Sequence, residues 1–138
     1  MPSLPTMAQM CRLVGMLEEI IVAVDDRPGV LADIGELLGR TGVNIETLCA
    51  SSHNGQGVIH LVVDDGDDAG EALESNGFKL AETRSVLTAT IDDRPGELGR
   101  YCRRLADSGV EIKSAYVAKR AGGETELILA VDNAEDAG

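Results

Sequence analysis

Residues 24–45 read VDDRPGVLADIGELLGRTGVNI, and residues 91–112 read IDDRPGELGRYCRRLADSGVEI. The two stretches lie 67 residues apart, and ten of the 21 positions from Asp25 to Ile45 recur unchanged in the second. Identity at that density in so short a chain marks an internal repeat, which sets the architecture before any element is assigned. A period of 67 residues exceeds a solenoid unit and suits a small domain with a modest core of its own. Such domains are marginal alone, so the pair is expected to pack together or onto a second chain.

Each copy parses in the same way. EEIIVAV (18–24) and SVLTATI (85–91) are short β-branched runs, hence strands, with Ile20, Val22, Val24 and Leu87, Ala89, Ile91 on the core face. The Asp-Asp-Arg-Pro-Gly turn follows, and Pro28 and Pro95 suit the first position of a helix, where a missing N–H costs nothing. Leu31, Ile34 and Leu38, then Leu98, Tyr101, Cys102 and Leu105, lay one apolar stripe along each helix. Gly42 and Gly109 stand where the helices should stop. VNIETLCAS (43–51) and VEIKSAYVA (110–118) read as second strands, HNGQG and KRAGG as hairpin tips, and VIHLVVD and ELILAVD as third strands. In the first copy alone, DDGDDAGEALESNG adds an acidic-capped helix and FKLAETR a fourth strand.

The order βαββαβ predicts an α+β fold: two ferredoxin-like modules in tandem, each an antiparallel sheet with helices on one face. The second lacks its last elements, because VDNAEDAG aligns with VDDGDDAG and ends there. The expected domains are an N-terminal extension (1–18), a first module (19–84) and a truncated second one (85–138). The fourth strand of this fold flanks the first, so strand 85–91 is expected to show a bare edge unless something covers it. Met7, Met10, Cys11, Val14 and Leu17 recur at helical spacing, and the extension either covers that module's vacant helix position or is a disordered leader, or the start site lies at Met16. Ile21 and Ala23 put apolar side chains on the outer sheet face as well, which predicts a covered sheet.

Composition narrows the function. With 24 Asp and Glu against 12 Lys and Arg, the formal charge is −12, a field that repels phosphate backbones and anionic lipid. One Phe, two Tyr and no Trp leave nothing on which to stack bases, so neither nucleic acid nor membrane is an expected partner. Cys11, Cys49 and Cys102 are widely spaced and form no CxxC pair, which suits free thiols in the cytoplasm. No signal peptide or membrane-spanning run is recognised. His53 and His60 have no Cys or carboxylate at metal-ligand spacing, and a surface or partly buried structural role suits them better. Ser51-Ser52-His53 comes without a nucleophile elbow, and DDGDDAGE lacks the ligand pattern of a calcium loop. No active site, metal or cofactor is expected.

The repeated turn carries the remaining chemistry. A strand ends and a helix starts at once, leaving backbone N–H groups and the positive end of a helix dipole for a carboxylate or phosphate. Gly29 permits close approach to the backbone, and Asp26 offers a carboxylate to an ammonium group. One end prefers –COO⁻ and the other –NH₃⁺, which together describe a free α-amino acid. An architectural reading stands beside it, in which Asp26 caps the helix and Gly29 serves the turn.

The string DRPGVLADIGELLGRTGVNIETL closely resembles the start of ACT domains, small regulatory modules of amino-acid metabolism. The matching positions are Asp26, Pro28, Gly29, Val30, Leu31, Gly42, Val43, Asn44 and Ile45, over a complete module at about residues 19–84 and a shortened one at 86–138. The resemblance implies that an amino acid binds between paired modules. Asp26 would meet the ammonium, and the amides near Pro28, Gly29, Val30 and Leu31 would meet the carboxylate. Asn44 and Ile45 would come from the start of the second strand, with Asn44 supplied by the facing module. A weaker second site would use Asp93, Gly96 and Leu98, since Glu97 and Glu111 replace Val30 and Asn44 there and a glutamate at a helix start repels a carboxylate. The implied protein is a non-catalytic, cytoplasmic regulator, dimeric, that binds a free amino acid. The alternative is a regulatory subunit docked on a separate biosynthetic enzyme.

Overall fold

The structure, a computed structural model, describes residues 17–132. They fall into two compact units, the first ending at Arg84 and the second beginning at Ser85. In the first, β1 (Glu18–Asp25), α1 (Val30–Thr41), β2 (Ile45–His53), β3 (Gln56–Val63), α2 (Gly66–Ser75) and β4 (Lys79–Ser85) follow the βαββαβ order. The sheet order is β2-β3-β1-β4, which puts the first and third strands at the centre. Antiparallel pairing sets Asp25 opposite Gln56 at one end and Glu18 opposite Val63 at the other.

Alternation along the central strands decides which face takes the helices. Ile20, Val22 and Val24 of β1 and Ile59, Leu61 and Val63 of β3 form one buried cluster with Ile34, Leu37 and Leu38 of α1 and Ala69 and Leu73 of α2. Both helices therefore lie on the same sheet face. Each fully buried aliphatic side chain contributes about 1.5–3 kcal/mol relative to exposure. On the outer face Ile21 is 8% exposed and Val62 fully buried, whereas Ala23 is half-buried and Val58 is 38% exposed, so the burial expected there is found at one end of the face only. That face also buries Glu19 completely. A buried carboxylate requires partners, and Glu19 has His60 Nδ1 at 3.2 Å and Arg84 Nη1 at 3.4 Å. His60 is thus a structural histidine, as its isolation in the sequence suggests.

The second unit comprises β5 (Leu87–Asp92), α3 (Glu97–Asp107), β6 (Ile112–Ala121) and β7 (Glu124–Val131), with sheet order β5-β7-β6. Its core is smaller: Leu87, Leu105, Val110, Leu127, Leu129 and Val131, with Ile91, Tyr101 and Ile112 packed alongside. Among the described residues β5 stands at an edge, as expected for a copy without its fourth strand. The expectations placed on residues 7–16 lie outside the described residues.

Three local expectations need correction. The helices start at Val30 and Glu97, so Pro28 and Pro95 belong to the preceding turns and the residues at the helix boundary are Gly29 and Gly96. Leu31 and Leu98 are 40% and 48% exposed, whereas Leu37, outside the predicted stripe, is buried. In the first unit α1 packs against α2 as well as the sheet, and Leu37 belongs to the core they share. The second strands begin two residues later than predicted, at Ile45 and Ile112.

Candidate ligand-binding site

The first turn occupies residues 26–29, between the end of β1 and the start of α1. The Asp26 N–H donates to Gly55 O at 2.9 Å, tying the turn to the tip of the β2–β3 hairpin. The Ser52 hydroxyl donates to Asp26 Oδ2. On its other side the carboxylate lies over Gly57, where a Cβ would fall 2.7 Å from Asp26 Oδ1 and 2.8 Å from Val24 Cγ2. Asp26 is therefore held by the hairpin, and the capping role considered from the sequence does not hold, because among the described residues no side-chain hydrogen bond caps the start of α1.

Gly29 has φ 86°, a left-handed conformation that glycine adopts without strain. It leads the chain directly into the helix. The Val30 N–H has only a 3.5 Å approach to Arg27 O, and Asp33 is the first residue with a firm helical bond, to Gly29 O at 2.9 Å. Arg27 folds over the turn and pairs with Asp33 at 2.7 Å, both groups about half exposed. Pairs of that kind contribute at most about 1 kcal/mol.

Asp26, Pro28, Gly29, Val30 and Leu31 are thus together at the turn and the helix start that follows it. Asn44 and Ile45 are not. They sit where β2 starts, beside Val63 and Asp64, seven strand residues from Gln56 and so about 23 Å from the turn. Asn44 is held there by its own neighbours: its N–H donates to Asp64 Oδ1 at 3.0 Å and its side-chain amide to Glu46 Oε1 at 2.9 Å.

A cleft of about 540 Å³ opens next to the turn, lined by Val24, Asp25, Arg27, Val30, Gln56 and Asn76 to Lys79, among others. Of the residues predicted from sequence only Val30 lines it. Two cations, Arg27 and Lys79, stand on its wall, and Val30 and Phe78 are half-buried beside them. Its far side, residues 76–79, carries no sequence motif. It reaches the turn only because β4 pairs next to β1 in the sheet.

The second turn has a similar backbone, with one further bond from the Arg94 N–H to Asp92 O at 3.0 Å. The Asp93 N–H donates to Gly123 O at 2.8 Å, and Gly96 has φ 89°. The side chains differ. Glu97 accepts from Arg100 and, at 3.3 Å, from Arg94. Asp93 faces Arg120 Nε at 3.8 Å rather than a serine. Arg100 holds the Glu97 carboxyl below the usual carboxylate range. Leu98 is exposed on the first turn of α3. Among the described residues no group of three or more His, Cys, Asp or Glu is placed to hold a metal, and no helix is long and apolar enough to cross a membrane.

Two antiparallel sheets with helices against one face, and a strand–turn–helix at the start of each unit, define a ferredoxin-like α+β module. More narrowly, residues 20–84 match the model of the AHAS small subunit-like ACT domain family. The first unit is an ACT domain, a member of a regulatory family. A 64-residue stretch, 44% of the chain, is 38% identical to D-3-phosphoglycerate dehydrogenase of Methanocaldococcus jannaschii. The match spans only 12% of that protein's length. Among solved structures, a protein of Bacteroides thetaiotaomicron aligns with 89% of this chain and 84% of its own at TM-score 0.76 and 21% identity. The ligand-free regulatory subunit of aspartate kinase from Thermus thermophilus aligns with 89% and 88%, at TM-score 0.69 and 18% identity. These two likenesses are of fold, and they extend across both units.

Proposed function

We propose that this is a non-catalytic regulatory protein whose first turn binds a free amino acid. The observation that carries the reading is the helix start at Gly29, uncapped by any side chain among the described residues, beside the Asp26 carboxylate held by the hairpin. The ligand ammonium meets Asp26, and its carboxylate meets the amides of Gly29, Val30 and Leu31. The adjoining cleft takes the side chain against Val30 and Phe78. Asn44 and Ile45 join the site from the facing module of a dimer, because 23 Å of strand separates them from their own turn. Binding biases one arrangement of the pair, and a coupling of about 1–3 kcal/mol is the usual scale for such control. The domains are 19–84 and 85–138 behind an extension, and the exposed Cys49 thiol suits the cytoplasm.

A second reading has its own support. The regulatory subunit of aspartate kinase shares the fold over most of both chains, so this protein as a subunit docked on a metabolic enzyme is the alternative. Thermal unfolding with each of the twenty L-amino acids separates the two. The sensor reading expects a selective rise in Tm that Asp26→Ala removes. A flat response, with a metabolic enzyme recovered alongside the tagged protein, favours the subunit.

A further inference from the structure

The two turns have similar backbones and differ in what surrounds them, and the differences are of one kind. At the first, the glycine at the helix boundary has nothing within 4 Å of where a Cβ would be. At the second, the corresponding point on Gly96 is 3.3 Å from Arg100 Nη1. The first residue of α1 is Val30, which carries no charge, while that of α3 is Glu97, whose carboxylate is gripped by Arg94 and Arg100. Beside Asp26 stands the Ser52 hydroxyl; beside Asp93 stands the Arg120 guanidinium. Ser52 pairs with Gly57 across the hairpin and Arg120 pairs with Thr125. The bare glycine that makes room for the Asp26 carboxylate is thus replaced by a buried side chain.

We propose that the second turn carries its own stand-in for the ligand: Arg120 takes the place of an ammonium at Asp93, and Glu97 takes the place of a carboxylate at the start of α3. This rests on the amino-acid reading of the first turn and adds its stoichiometry. An incoming amino acid would have to displace a cation from Asp93 and set its carboxylate against Glu97, so the second turn stays closed. The protein takes one amino acid per chain, although it carries the turn twice.

Calorimetry on the full chain, using whichever of the twenty L-amino acids raises Tm most, reads this directly. One ligand per chain is expected, lost in Asp26→Ala and unchanged within twofold in Asp93→Ala. Writing the first turn's residues into the second (Glu97→Val, Arg120→Ser and Thr125→Gly together) should raise the stoichiometry to two. Should that variant fail to fold, Glu97→Val alone should show the same second event at lower affinity. Two ligands per chain in the wild type, loss of binding in Asp93→Ala, or one ligand per chain in a folded opened variant would overturn the proposal. The lock also has a readout without ligand: the NMR titration midpoint of Glu97 should rise in Arg100→Gln. If it does not move, the lock is absent whatever the first turn binds, whereas a shifted midpoint with no binding anywhere overturns only the amino-acid reading.

Discussion

Gly57 is a strand residue whose missing side chain decides where a loop carboxylate can lie. A Cβ there would fall 2.7 Å from Asp26 Oδ1 and 2.8 Å from Val24 Cγ2. Asp26 is a chain end that can swing away, but Val24 is 9% exposed in the core and has little room. Gly57→Ala is therefore expected to cost about 1–3 kcal/mol in urea unfolding, the usual range for overpacking. It should also weaken amino-acid binding, because Asp26 must vacate its place. Gly57→Ala with unchanged stability and unchanged affinity would show that the carboxylate position does not matter. The sequence offers no hint of this: Gly57 reads as part of a hairpin tip, and Asp26 is 31 positions away.

Among the elements, α1 and α3 share their residue pattern but not their packing. Helix α1 buries Ile34, Leu37 and Leu38, while α3 buries only Leu105. Leu37 in the first repeat corresponds to Arg104 in the second, where the guanidinium lies 5.5 Å from the Tyr101 ring centroid. Helix α2 is bounded more conventionally, with Asp65 accepting from the Asp68 N–H at 3.0 Å. That cap works against its surroundings. Burial and then the charges of Asp67 and Asp65 push the Glu18 carboxyl up, and Asp65 does the same to Asp68. Both groups bind protons more tightly folded than unfolded, so their ionisation costs stability as pH rises from the ordinary carboxylate range through the raised values. Asp65→Asn keeps an acceptor for the Asp68 amide and removes a charge, so Tm should rise at neutral pH, and the gain should fade as the pH falls through the raised Glu18 and Asp68 values into the ordinary carboxylate range. Asp65→Ala loses the cap, worth about 1 kcal/mol, and should be the less stable of the two at every pH. Scanning calorimetry across pH checks both.

At the scale of the whole molecule, the −12 formal charge disfavours the compact state through self-repulsion. Raising salt from about 0.01 M to about 0.15 M shortens the screening length from about 30 Å to about 8 Å. Tm should rise over that interval, whereas an unchanged or falling Tm would mean that attractive pairs outweigh the repulsion. Much of this scale is legible in the order of residues. The 67-residue repeat predicts two copies of one module, and alternation along 18–24 predicts the buried set Ile20, Val22 and Val24. Gly42 marks the end of α1, and Asn76 the end of α2. These signals are local: a period of two or of 3.6, or a residue type that suits one backbone conformation.

What the amino-acid order determined by itself is the pair of βαββ repeats and the turn that opens each helix, because those follow from interactions within a few residues. Tertiary structure alone decided the rest. The Ser52 hydroxyl reaches Asp26 because a hairpin folds back on the turn, and residues 76–79 wall the cleft because β4 pairs beside β1. Leu37 is buried in a core that two strands and a second helix complete. Asn44 lies a strand's length from Asp26 because the chain crosses the sheet between them. Each is a contact between segments distant in sequence, set by register and sheet order, and no local pattern encodes which distant residue arrives.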